Sequence, residues 1–167
     1  MRNSIILSLT SIALSLAGCK QTGVNPTNCR EGKCTYTILA NQQITIDTSD
    51  SLWQNVDIMT GDQLVFEYEY VQRDNDRIAD DEYTERIYFE IDPEIDSFSF
   101  RDAELAEVNL VMQPICFCIP TLGTPISGTL TGEKLSETAW KVEMDVTFDQ
   151  DQFTSATSFD AVFEKAE

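Results

Sequence analysis

The chain has 167 residues, with 29 acidic and 11 basic side chains, a formal net charge of −18 and no histidine. So large an excess of acid excludes nucleic-acid binding, which needs Lys and Arg on phosphates, and also a domain lying flat on an anionic leaflet. Without histidine there is no Ser-His or Cys-His nucleophile pair, no commonest general base and no commonest transition-metal ligand. The expectation is a non-enzymatic protein with no resident cofactor.

The N-terminus reads as an export signal. Arg2 is a positive n-region, Ile5 to Leu16 an apolar run broken by Ser8, Thr10, Ser11 and Ser15, and Leu16-Ala17-Gly18 a small-residue cleavage region before Cys19. The run is too short for a stable span, which needs about 20 apolar residues. Leu16-Ala17-Gly18-Cys19 resembles the lipobox of bacterial lipoproteins. That resemblance implies cleavage before Cys19, acyl chains such as palmitate on Cys19, and permanent anchoring to a membrane, since two or more chains hold stably. Residue 20 is Lys and not Asp, which in such lipoproteins is compatible with export to the outer membrane. Cleavage would remove one base and no acid. The chain then divides into a signal peptide (1–18), a lipidated cysteine and flexible tether (19–34), and one all-β domain (35–167). Lys20 to Thr27 carries Gln, Thr, Gly, Asn and Pro without apolar periodicity, as a spacer does.

From Thr35 the dominant signal is period-2 alternation, the mark of half-buried strands. Tyr36 and Ile38 begin it and Ile44 and Ile46 continue it, with Asn41-Gln42 as the turn between. Trp53, Val56 and Ile58 form a less regular segment, and Thr60-Gly61-Asp62 predicts a turn. Leu64, Phe66, Tyr68 and Tyr70 share one face, and so do Ile87, Phe89 and Ile91, predicting a hairpin joined by a long acidic loop. Asp92-Pro93-Glu94 breaks the strand, Ser97 to Phe100 is a short one, and Asp102 to Glu107 has room for one helical turn. Val108, Leu110 and Met112, then Ile126, Gly128 and Leu130, resume the alternation. The clearest run is Trp140, Val142, Met144, Val146 and Phe148, and Phe159, Ala161 and Phe163 close the domain. About eight to ten short strands with almost no helix predict an antiparallel β-sandwich, with a β-barrel as the alternative. The one-sided alternation favours antiparallel sheets with one wet face.

With Cys19 assigned to lipid, Cys29, Cys34, Cys116 and Cys118 remain, an even number that reads as two disulfides in an oxidising compartment. Cys29 and Cys34 bracket a turn-like loop, so a local bridge is easy. Cys116 and Cys118 would point to one face of a strand and need a bend to pair. Crosswise pairing of Cys29 with Cys116 or Cys118 stays open, as does a tetrathiolate metal site. Asp74, Asp76, Asp80, Asp81 and Glu82 lie in the densest run of oxygen ligands and are calcium candidates. Their spacing is not an EF-hand, and the plainer reading is a solvated hairpin tip. Among the aromatics that could stack on sugars, Tyr88 is out of phase with Ile87 and Phe89, which predicts an exposed ring. The reading is a lipid-anchored protein of the bacterial cell envelope, at the outer membrane through Cys19, working as a binding or structural module with an envelope protein or a glycan as partner. A calcium- or carbohydrate-binding surface module is the alternative, and a carboxylate-dependent hydrolase the second alternative.

Overall fold

The alternating segments form strands because each can bury one side chain in two, and the computed structural model has eight of them among the residues it describes. It describes residues 29, 32–47, 54–73, 83–116, 121–151 and 153–166. In chain order they are β1 (Gly32–Asp47), β2 (Asn55–Gln72), β3 (Tyr83–Ile91), β4 (Ser97–Arg101), β5 (Val111–Cys116), β6 (Thr124–Ser136), β7 (Ala139–Asp149) and β8 (Thr154–Lys165). A 3-10 helix, Asp102–Val108, links β4 to β5. The fold is all-β and sandwich-like, and its two layers are the halves of one continuous sheet in the order β4-β6-β7-β8-β1-β2-β3-β5. Every strand pair is antiparallel except β1 with β8, which run parallel through only Thr37–Glu164 and Ile38–Lys165.

At that narrow junction the sheet turns back on itself. Trp140, Val142, Met144, Val146 and Phe148 of β7 are buried against Leu64, Phe66 and Tyr68 of β2 and Ile87, Phe89 and Ile91 of β3. Phe66 stacks on Phe89 at 4.7 Å and meets Trp140 edge-on at 5.7 Å. The outer strands approach closely enough for Phe98 of β4 to touch Phe89 of β3, with ring centroids 5.9 Å apart. The roll does not close into a barrel. One isolated bridge, Met112–Gly123, spans the gap, and Leu105 and Val108 of the 3-10 helix are buried in the core.

Two predicted turns are not turns. Asn41 and Gly61-Asp62 lie inside β1 and β2, where the register shifts and Gln42 faces both Thr60 and Gln63. Asn41 takes a left-handed φ of 58°. An irregularity in both partners bends the hairpin without ending it, so four predicted short strands become two long ones. Beyond the bend, Val56, Ile58 and Ile44 pack over the outer face of the sheet on Val65, Tyr88, Val111 and Leu122. The Ile44 N–H donates to the Glu90 carboxylate, Asn109 Nδ2 donates to the same carboxylate at 2.6 Å, and Gln113 Nε2 donates to Asn55 Oδ1 at 2.6 Å. This corrects the expectation for Tyr88. It is out of phase with the main core, as its position requires, yet only 3% exposed because the bent hairpin covers it. Its hydroxyl donates to Glu67 Oε1 at 3.1 Å.

Candidate functional site

The strand registers bring several termini to one end of the roll. Gly32 pairs with Gln72, Val71 with Thr84 and Tyr83 with Cys116, and Asp149 turns to Thr154. The chain enters the domain at this end, beside Cys29. Here the inward phase changes character. β3 carries Ile87, Phe89 and Ile91 inward, and the same phase run backwards gives Glu85 and then Tyr83. On β8 it runs from Phe159 back to Thr157 and Ser155. Polar groups therefore hold positions that are aromatic or aliphatic elsewhere in the core.

Glu85 is 7% exposed. Its Oε1 accepts from the Thr157 hydroxyl at 3.0 Å and its Oε2 from the Tyr83 hydroxyl at 3.0 Å. Burial pushes the Glu85 carboxyl above its usual range, and the two hydroxyls pull it part of the way back. Burial, with the neighbouring carboxylate second, pushes the Tyr83 phenol upward as well. Gln150 is 3% exposed, with Nε2 donating to Met112 Sδ at 3.1 Å and to Ser155 Oγ at 3.4 Å.

Outside this layer lies a partly enclosed chamber of about 240 Å³, walled by Tyr83, Pro114, Cys116, Thr121, Gln150, Phe153 and Ser155. Phe153 stands at its rim, 61% exposed, on a turn closed by the Gln150 N–H donating to the Phe153 carbonyl at 3.0 Å. Larger hollows elsewhere are open dishes. One of 530 Å³ on β4, β6 and β7 contains Lys134 and Lys141, which are paired with Glu137, Asp96 and Asp160. One of 590 Å³ at the opposite end holds Asp62, Glu90, Asp92 and Glu107, and its Glu90 already anchors the bent hairpin. Both are more open than the chamber.

Cys29 and Cys34 are disulfide-bonded with Cα atoms 5.6 Å apart, so the local pairing is the one formed. The bridge ties the entering chain to β1 over Tyr36, whose hydroxyl contacts Cys29 Sγ at 3.6 Å. Burial raises the Tyr36 phenol to about 12. Cys116 is disulfide-bonded too, and Cys118 lies outside the described residues. So do Cys19, Trp53 and the calcium candidates Asp74, Asp76, Asp80, Asp81 and Glu82. Among the described residues no group of three or more acids or cysteines could hold a metal ion, and no helix is long and apolar enough to cross a membrane. The chamber was not anticipated from sequence. A carboxylate on the apolar phase of β3, two positions before Ile87, was the signal available.

No protein family, curated protein or solved structure matches this chain.

Proposed function

We propose that this chain is a lipid-anchored protein of the bacterial cell envelope, held at the outer membrane through Cys19, whose all-β domain is a binding module rather than an enzyme. The observation that carries the binding half is the partly enclosed chamber at the end where the chain enters the domain. Its walls combine two aromatic rings with hydroxyl and amide groups, the mixture expected of a small-molecule site. The hydrolase reading has less support. Glycoside hydrolysis needs two carboxyl groups across the scissile bond, whereas among the described residues the groups acting on Glu85 are two hydroxyls and no second carboxylate.

The anchoring half rests on Leu16-Ala17-Gly18-Cys19. Expression in a bacterial host with intact-mass measurement and membrane fractionation tests it. The expected product begins at Cys19, carries acyl mass and sediments with membranes, and Cys19→Ser abolishes both acylation and sedimentation. A product that keeps residues 1–18, or a Cys19→Ser chain that still carries acyl mass, would refute it.

A further inference from the structure

The chamber is selective by which hydrogen-bonding groups its walls have left to offer. The Tyr83 proton is committed to Glu85 Oε2 at 3.0 Å, so the phenolic oxygen meets the chamber as an acceptor. The Gln150 amide group is committed through Nε2 to Met112 and Ser155, which leaves its carbonyl as the end not engaged among the described residues. The Ser155 hydroxyl is directed at Met112 Sδ, 3.8 Å away. At Tyr83, Gln150 and Ser155 the donors point into the protein and acceptors remain for a guest. Among the described residues no Lys or Arg lines the chamber, a buried carboxylate stands one hydrogen bond behind Tyr83, and the aromatic rings of Tyr83 and Phe153 are of the kind that attracts cations. The whole chain, at −18, enriches cations around itself.

We propose that the chamber takes a small organic cation, an ammonium head on an apolar body of about one ring. The ammonium donates to Tyr83 Oη and to the Gln150 carbonyl, with Glu85 as counter-charge behind them, and the apolar body lies along Pro114 and Phe153. A volume of about 240 Å³ admits a monocyclic or short-chain amine and excludes an oligosaccharide. This inference rests on reading the chamber as the binding site, and the test separates the two.

The full chain is titrated by calorimetry in 0.15 M salt with three probes of matched shape: 2-phenylethylamine, 2-phenylethanol and 3-phenylpropanoate. Expected is saturable binding of the amine at least tenfold tighter than the alcohol and no binding of the carboxylate. Glu85→Gln should weaken the amine about tenfold while the protein keeps its melting transition, and Phe153→Ala should weaken amine and alcohol together. Equal binding of amine and alcohol, or a Glu85→Gln protein that binds the amine as tightly as the parent, would overturn the cation assignment and leave the chamber a ligand site. No saturable binding of any probe would sink both the assignment and the chamber as a site.

Discussion

Glu85→Gln is the sharpest single test of the polar layer, because the size of its effect depends on pH. The folded protein holds the Glu85 carboxyl above its unfolded pKa, chiefly through burial. A group raised in this way stabilises the fold fully below its unfolded value, near 4.5, and that contribution is lost as pH rises through the folded value. Each unit of displacement is worth about 1.4 kcal/mol. Glutamine has the same shape and no charge. Its carbonyl can accept from Tyr83, and its amide can donate to Thr157 Oγ1 where the carboxylate accepts from it. In urea titrations from pH 4 to pH 8, Glu85→Gln and the parent should lie closest at pH 4, with the variant gaining on the parent as pH rises. The difference between the two proteins isolates Glu85 from the other acids, whose contributions cancel. Glu85→Ala should destabilise at every pH, because it leaves the buried Thr157 hydroxyl and the half-buried Tyr83 hydroxyl without this acceptor, the buried one costing on the order of 1–3 kcal/mol. A Glu85→Gln minus parent difference that stays flat from pH 4 to pH 8 would refute the argument.

Gly132 lies on β6 where an added Cβ would overlap the ring of Phe98, which is stacked on Trp140 at 5.7 Å. Gly132→Ala should therefore cost about 1–3 kcal/mol by overpacking. Adding Phe98→Leu should recover part of that, so additive losses in the double variant would speak against the contact. Replacing Cys29 and Cys34 together by Ser removes a bridge of sequence separation 5 and should lower unfolding free energy by about 2 kcal/mol in the loop-entropy model. An unchanged denaturation midpoint under non-reducing conditions would contradict it. Glu90→Ala frees the Ile44 N–H and the Asn109 side chain. Amide exchange at Ile44 should accelerate at least tenfold while exchange at Val142 stays slow, and parallel acceleration at both would show that the bent hairpin does not move separately.

Most of the fold was legible because the inner phase of β2, β3, β7 and β8 is written in large apolar residues that can face only one way. Three features were not. Asn41 and Gly61 look like turn residues locally, and only the pairing of one irregular strand with another makes them a bend inside a long hairpin. Tyr88 looked exposed for the same reason, since its cover comes from Ile44, Ile58 and Val56, more than 29 residues distant in sequence. In the chamber, Tyr83 and Glu85 follow the core phase of β3, but a carboxylate there reads as the solvated end of a strand until Thr157 arrives from β8. Non-local pairing is what single-strand periodicity leaves out.

The two ends of the roll divide its work unequally. At the distal end Phe66, Phe89, Phe98, Trp140 and Phe163 touch one another with centroids 4.7–6.2 Å apart, and such pairs add about 0.5–1.5 kcal/mol each beyond their buried area. At the tethered end the same inward positions hold Glu85, Thr157, Gln150 and Ser155, where aliphatic side chains would stabilise more. Those polar groups are tolerated because each has a partner: hydroxyls for the carboxylate, Met112 and Ser155 for the amide. Local opening at the tethered end has to leave the Cys29–Cys34 bridge and the Tyr36, Tyr68 and Phe159 contacts intact. Phe153, exposed on its short turn, is where such opening requires the least burial to be given up. A guest entering there meets the polar layer without disturbing the aromatic cluster that holds the sheet in its roll.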